Sequence, residues 1–182
     1  MKTMRNSLLL FSVLALAFSA TTIHAANPPK VGDKAPLIKG VDQDGNTWKL
    51  SGEIGKNLVL LYFYPKDNTP GCTKEACSLR DKLSDLKAHG VEVIGVSFDS
   101  VDSHKSFVFK YGLNFPLIAD PDGKIADAYG ARMGGDKKMA RRVSFLIGLD
   151  GKIAHVTDSP NPDVHLDEMD AAIKSLGGKS SN

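Results

Sequence analysis

The feature that most constrains the fold is an unbroken run of apolar and aromatic residues, Leu58–Tyr64 (LVLLYFY). A strand that is apolar on both faces is typical of a sheet covered on both sides. A second such run, Val91–Phe98, follows a segment with apolar residues at helical spacing, Cys72–His89. This order of strand, helix and strand predicts a parallel pair joined by a helical crossover.

The segments on either side of this unit predict antiparallel additions to the sheet. Val31–Lys49 has the pattern of an N-terminal hairpin, and Val143–Gly148 and Lys152–Val156 flank a Leu-Asp-Gly turn. Helices are predicted over Ser103–Tyr111, with its first serine as the N-cap, and over Asp163–Leu176. The chain is therefore predicted to form one α/β domain, a mixed central sheet flanked by helices.

The N-terminal 25 residues have the composition of a secretory signal peptide. A basic start precedes the apolar run Ser7–Ala20, and small residues follow, with cleavage expected after Ala25. The run is shorter than the roughly 20 residues that cross a bilayer, and an uncleaved anchor is the alternative. We expect an exported, periplasmic protein without stable membrane association. Its domain would be residues 26–182, with a frayed tail over Gly177–Asn182.

The charge of the chain outside the signal segment is balanced. Lys and Arg number 23 and Asp and Glu 21, which gives a net charge of +2. Lys2 and Arg5 lie in the signal segment, which has no acid, so 21 residues of each sign remain. A neutral domain without a basic patch is not expected to bind nucleic acid. Independently of its charge, we expect the protein to be a monomer.

Two cysteines, Cys72 and Cys77, lie five residues apart in a protein expected in an oxidising compartment. A structural disulfide is the simplest interpretation. On an intact helix, however, residues five apart are separated by about 140° around the axis and about 7.5 Å along it. Such a pair forms a bond only after the backbone moves, which favours a redox-active pair over a structural one.

The sequence before Cys72 is typical of a nucleophilic cysteine. A buried strand ends at Pro65, a short loop follows, and Cys72 falls in the first turn of the predicted helix. Free backbone N–H groups and the positive end of the helix dipole stabilise a thiolate there, and the thiolate is the reactive form. Thr69 precedes the cysteine by three residues, so we expect its hydroxyl to face the same small space.

These residues resemble a motif of the peroxiredoxins, thiol peroxidases with a thioredoxin-like fold. The motif Pro-x-x-x-Thr-x-x-Cys is present as Pro65, Thr69 and Cys72. A second cysteine five residues later, here Cys77, is the mark of the PrxQ group, also called the bacterioferritin comigratory proteins. The resemblance extends from Val31 to the final helix.

The resemblance implies a role for each residue of the site. Cys72 would attack the terminal oxygen of a peroxide and become a sulfenic acid. The backbone N–H of Cys72, the Thr69 hydroxyl and the guanidinium of Arg142, which precedes the Val-Ser-Phe strand, would stabilise the departing oxygen. Glu75 would orient Arg142, and Pro65 would shield the sulfur from water.

The resemblance also implies how the enzyme would be recycled. Cys77 would attack the sulfenic acid, and a thioredoxin-like dithiol protein would reduce the resulting Cys72–Cys77 disulfide by exchange. The expected substrates are hydrogen peroxide and organic hydroperoxides. We expect no metal, flavin or haem cofactor.

Two other functions fit part of the pattern. A copper or metal carrier on the same fold would use the two thiols and a distant histidine, but gives Thr69 and Arg142 no role. The histidines after the signal segment are expected on solvated faces or loops: His89, His104, His155 and His165. A disulfide oxidoreductase of the thioredoxin type would require a Cys-x-x-Cys motif, which the sequence lacks.

Overall fold

The computed structural model describes residues 28–134 and 137–177. The expected signal peptide and the last five residues of the expected frayed tail lie outside the described residues. Within the described ranges, no helix has the length and apolar character needed to cross a membrane.

The described residues form seven strands and four α-helices, together with one 3-10 turn at Leu50–Gly52. The strands are β1 (Lys39–Val41), β2 (Thr47–Lys49), β3 (Leu58–Phe63), β4 (Val91–Ser97), β5 (Leu117–Ala119), β6 (Val143–Ile147) and β7 (Ile153–Asp158). The helices are α1 (Pro70–Ala88), α2 (Val101–Tyr111), α3 (Lys124–Ala128) and α4 (Pro162–Ser175).

All seven strands belong to one mixed sheet in the order β2-β1-β5-β4-β3-β6-β7. The central strands β3, β4 and β5 are parallel, and α1 and α2 are the crossovers between them. β6 pairs antiparallel with β3, β7 pairs antiparallel with β6, and the hairpin β1–β2 joins antiparallel to β5. The predicted mixed sheet, its flanking helices and its N-terminal hairpin are confirmed.

Strand β3 lies at the centre of the sheet and carries both halves of the core. All six of its residues are buried. Val59, Leu61 and Phe63 face a cluster that includes α3, whereas Leu60 and Tyr62 face a cluster built with α1, α2 and α4. The chain after Phe63 therefore leaves the sheet from a strand that is buried on both faces.

Two helix starts, those of α1 and α2, differ from the prediction by two residues. Helix α1 begins at Pro70, two residues before Cys72, because proline is well tolerated in the first turn, where its missing N–H is not needed. The prediction that Ser103 caps α2 is wrong. The cap is Ser100, whose hydroxyl oxygen accepts a hydrogen bond from the backbone N–H of Ser103.

The expectation that all four histidines lie on solvated faces is wrong for two of them. His104 in α2 and His165 in α4 are both buried. His104 precedes buried Phe107 by three residues, and His165 precedes buried Met169 by four. Residues at these spacings share one helix face, so each histidine is carried into the core with its neighbour.

Candidate active site

Cys72 is placed by the turn from β3 into α1. It is the third residue of the helix and only 2% exposed, and its thiol is free. The first N–H groups of a helix have no partner within the helix, and the helix dipole is positive at this end. The structure therefore puts the sulfur in an enclosed space where a negative charge is stabilised.

Arg142 reaches the same place from β6, the strand next to β3 in the sheet. It immediately precedes β6, and Val143 pairs with Phe63 at the end of β3, close to the start of α1. Arg142 Nη2 donates to Cys72 Sγ at 3.3 Å. A Cβ atom on Gly71 would lie only 3.2 Å from that nitrogen, so the glycine leaves room for the guanidinium.

Glu75 holds the other terminal nitrogen of Arg142. Its Oε2 accepts a hydrogen bond from Nη1, and its side chain is 3% exposed, with Arg142 at 8%. Burial raises the pKa of Glu75 to about 7, against the opposing influence of Arg142. Burial tends to lower the pKa of Arg142, but the Glu75 and Cys72 charges outweigh it and the pKa of the guanidinium is raised. Arg142 is therefore a fixed positive charge.

A polar layer from α4 and β6 lies behind this pair. His165 Nε2 lies 2.8 Å from the carbonyl oxygen of Ser159, which only accepts, so Nε2 carries a proton. Burial lowers the pKa of His165 and favours the neutral ring, so its Nδ1 accepts from the Ser144 hydroxyl at 2.7 Å. Glu75 Oε1, 3.8 Å from that Nδ1, has no hydrogen-bond partner among the described residues.

Thr69 and Pro65 bound the loop that leads into α1. Thr69 is the N-cap residue of α1, and its hydroxyl donates to the carbonyl oxygen of Lys66 at 2.9 Å. The proton that we expected to face Cys72 is therefore used within the loop, whereas the lone pairs of the hydroxyl remain available. Pro65 is half-buried, two residues beyond the end of β3.

Cys77 lies on the same helix as Cys72 and is half-buried, with its thiol also free. Helix α1 is continuous from Pro70 to Ala88, so the two cysteines are separated by about 140° around its axis and about 7.5 Å along it. The structure shows the reduced pair, and a bond between the sulfurs requires the first turns of α1 to unwind.

The metal-carrier alternative gains no support. Within the described ranges, no group of three or more His, Cys, Asp or Glu side chains is arranged to hold a metal ion. The two buried histidines serve other purposes, since His165 bonds to Ser144 and His104 to Asp67.

The structure brings three of the six predicted site residues into direct contact: Cys72, Glu75 and Arg142. The sequence did not predict the layer behind them, which consists of His165 and Ser144. The helical spacing of His165 with buried Met169 was a signal for its burial. No comparable signal joins α4 to Glu75, because that contact depends on how α4 packs over the sheet.

Solved structures that are similar to this chain include peroxiredoxins. The peroxidoxin BcpB of Mycobacterium tuberculosis is 32% identical with a TM-score of 0.77, over 81% of this chain and 98% of that one. A bacterioferritin comigratory protein of Xanthomonas campestris, described for its alkyl peroxide reduction, is 30% identical with a TM-score of 0.71, over 76% and 91%. The fold is thioredoxin-like, and the class of protein is the thiol peroxidases.

The sequence itself gives the family. Residues 31–156 match the model of the AhpC/TSA family, and the chain belongs to that family. Peroxiredoxin Bcp of Escherichia coli K12 is 43% identical over 146 residues, which are 78% of this chain and 93% of that protein. The resemblance to the PrxQ and Bcp peroxiredoxins is therefore confirmed, and the chain is an enzyme of the peroxiredoxin type.

Proposed function

We propose that Cys72 is the residue that reacts with peroxide. The observation that carries this proposal is the 3.3 Å contact between Arg142 Nη2 and the buried Cys72 sulfur at the start of α1. The thiolate attacks the terminal oxygen of a hydroperoxide, the O–O bond breaks, and Cys72 becomes a sulfenic acid. The second oxygen leaves with the electron pair and takes a proton to form water or an alcohol.

Arg142 and the start of α1 stabilise the charge that develops on the departing oxygen. The guanidinium lies against the sulfur, and its donors are already oriented before peroxide arrives, so little reorganisation is needed. The backbone N–H of Cys72 is a further donor of the first helical turn. Glu75 acts through Arg142, because it fixes the plane of the guanidinium from the side away from the sulfur.

The direction of the Thr69 hydroxyl refines its role. Since this hydroxyl donates to the Lys66 carbonyl, it is available to accept the O–H hydrogen of a bound hydroperoxide. A hydroperoxide would donate its proton to the Thr69 hydroxyl and accept from Arg142 through its oxygens. These two contacts together fix its orientation towards Cys72. Pro65 covers this space at the end of β3 and limits the entry of water.

Cys77 completes the catalytic cycle. After the first turns of α1 unwind, the Cys77 thiolate attacks the Cys72 sulfur, the S–O bond of the sulfenic acid breaks and a disulfide forms. The oxygen leaves as hydroxide and takes a proton from solvent to become water. A dithiol protein of the thioredoxin type then reduces the disulfide by exchange. Hydrogen peroxide and organic hydroperoxides are the substrates, and the protein acts as a monomer.

Cys72→Ser tests this assignment. Peroxide consumption should be abolished in the presence of a dithiol reductant, while Cys77→Ser should still consume one equivalent of peroxide per chain. A matched measurement of thermal unfolding shows that both variants are folded. Normal turnover by Cys72→Ser would overturn the assignment.

We also propose that the enzyme is exported to the periplasm. The basic start, the apolar run and the small residues up to Ala25 support a cleaved signal peptide, and the domain then begins near Ala26. Mass spectrometry of the N-terminus of the protein recovered from the soluble periplasmic fraction should find a chain without residues 1–25. A full-length chain recovered with the membrane would favour the uncleaved anchor.

A further inference from the structure

The loop between β3 and α1 is held by a buried acid that the proposed chemistry does not use. Asp67 is 5% exposed, and its carboxylate accepts three hydrogen bonds. The donors are Tyr64 Oη at 2.7 Å, Ser103 Oγ at 2.7 Å and His104 Nδ1 at 2.9 Å. Two of these donors, Ser103 and His104, belong to α2. The Asp67 side chain therefore attaches this loop to a helix that contains none of the proposed catalytic residues.

The backbone of Asp67 is fixed as well. Its N–H donates to Asp99 Oδ2 at 2.9 Å, and the same oxygen accepts from the Ser97 hydroxyl at 2.7 Å. Ser97 ends β4, so this second attachment is to the central sheet. Asp67 is thus held through both its main chain and its side chain.

The polar contacts of the His104 side chain among the described residues are with Asp67 and Tyr64, since Nδ1 lies 2.9 Å from Asp67 Oδ2 and 3.3 Å from Tyr64 Oη. The His104 side chain is fully buried, and its Nε2 has no hydrogen-bond partner among the described residues. Burial alone raises the pKa of Asp67, but the hydrogen bonds from His104, Ser103 and Tyr64 outweigh it and the pKa is lowered. An ionised carboxylate only accepts, so His104 Nδ1 carries the proton between them. An apolar residue would fill this position without leaving a nitrogen unpaired.

The attachment lies just upstream of the segment that must unwind. Asn68 follows with a φ of 58°, in the left-handed region, then Thr69 caps the helix and Cys72 lies in its first turn. Unwinding α1 for the attack by Cys77 would carry Thr69 away from its position if the loop were free to follow.

We propose that Asp67 and His104 are positioning residues, which hold the loop from Pro65 to Thr69 on α2 while the first turns of α1 open and close. This inference rests on the proposed function of Cys72. The attachment keeps Thr69 in register with the Cys72 sulfur for the reaction with peroxide. It lies outside the unwinding segment, so it restrains the loop without restraining Cys77.

The consequence is a difference between two reactions of the same thiol. Reaction with peroxide requires Thr69 and the donors of α1 in register. Alkylation of Cys72 by iodoacetamide requires that the sulfur is a thiolate and that the reagent can reach it. It does not require the Thr69 hydroxyl to accept a proton. Loss of the attachment should therefore slow the first reaction and spare the second. A merely destabilised protein would not separate them.

His104→Leu removes the donor and keeps an apolar side chain, whereas His104→Asn keeps an amide nitrogen near the position of Nδ1. We expect His104→Leu to lower the second-order rate constant with hydrogen peroxide about tenfold, which corresponds to ~1.4 kcal/mol. Its rate of alkylation should stay within about twofold of wild type, and His104→Asn should recover most of the peroxide rate. Ser106→Ala, on the same helix and outside this cluster, is the control and should change neither rate.

If His104→Leu slows both reactions equally, or slows neither, the inference is overturned. It is also overturned if His104→Asn reacts with peroxide no faster than His104→Leu. If His104→Leu does not fold, Ser103→Ala removes one donor to the same carboxylate and should show a smaller separation of the two rates in the same direction. Unchanged rates in a folded Ser103→Ala would then overturn it. A wild-type protein that fails to react with peroxide contradicts the proposed function instead.

Discussion

Arg142 uses its two terminal nitrogens on two partners: Nη1 donates to Glu75 and Nη2 to the Cys72 sulfur. A planar fork with fixed donors can make both contacts at once, and a flexible ammonium cannot. This geometry places one positive charge against the nucleophile and aligns donors for the oxygen that leaves.

Replacing Arg142 with lysine keeps the charge and removes the fork. We expect Arg142→Lys to lower the second-order rate constant of Cys72 oxidation roughly 10- to 100-fold in stopped-flow experiments, because one oriented donor contributes on the order of 10²–10³ in comparable sites. Arg141→Lys is the matched control, since Arg141 pairs with Asp158 instead. An unchanged rate for Arg142→Lys would remove the guanidinium from the mechanism.

Glu75 gives a prediction for stability against pH. Its pKa in the folded protein is raised to about 7 from the ordinary 4.5, so protonation favours the folded state. That contribution is complete below about pH 4.5 and is lost as the pH rises through 7, a difference of roughly 3 kcal/mol. Urea unfolding should show the wild type losing more stability between about pH 5 and pH 8 than Glu75→Gln. Parallel curves for the two proteins would contradict the raised pKa.

The long-range contacts of Arg142 with Cys72 and Glu75 were predicted through the family resemblance, whereas the other predicted site contacts lie close together in the chain. Thr69, Cys72 and Glu75 share one loop and one helical turn, so the motif alone placed them. The direction of the Thr69 hydroxyl depends on the carbonyl of Lys66, which a motif does not specify. The contacts of Asp67 with Ser103 and His104 join residues more than thirty positions apart and depend on packing.

Helix α1 has two tasks that conflict. Its start must be intact to present Cys72 to peroxide, and the same turns must open before Cys77 can reach the sulfenic acid. A helix end frays more easily than its interior, and a cysteine in the first turn requires opening from that end only. Leu79, Leu83 and Leu86 remain buried against the sheet and hold the rest of the helix in place.

Oxidation should therefore change the secondary structure of the wild type. One equivalent of hydrogen peroxide is expected to lower the helical signal in far-UV circular dichroism, and a dithiol reductant should restore it. Cys77→Ser, which stops at the sulfenic acid, should keep its helical signal and stall after one turnover. An oxidised wild type with an unchanged spectrum would show that the disulfide forms without unwinding.

The elements themselves were predicted closely from periodicity and turn residues. Each predicted strand and helix is present, with ends that coincide with the prediction or differ from it by one or two residues. The starts of α1 and α2 each lie two residues before the predicted ones. The first depends on whether the first turn accepts a proline and the second on which of two nearby serines caps the helix, and both depend on local geometry.

The whole molecule is a covered sheet with its chemistry at the end of the central strand. The pairing of β6 with β3 brings Arg142 to Cys72, and the packing of α4 places His165 behind Glu75. The sequence predicted a mixed sheet but not its order, since the pairing of β1 with β5 joins strands more than seventy residues apart.

The distribution of charge leads to a prediction for the intact protein. With equal numbers of basic and acidic residues after residue 25 and an uncharged substrate, encounter with peroxide needs no electrostatic steering. The rate constant with hydrogen peroxide should change less than about twofold between low and high salt, at roughly 20 and 500 mM. A steep fall with salt would indicate steering by a charged surface.

We propose that the Cys72 thiolate itself takes the peroxide oxygen. The most direct measurement is the site of a sulfenic acid label in Cys77→Ser after one equivalent of hydrogen peroxide, with dimedone as the trap and mass spectrometry as the readout. We expect about one label per chain, located on Cys72. A chain that consumes peroxide while Cys72 stays an unlabelled, free thiol would contradict it.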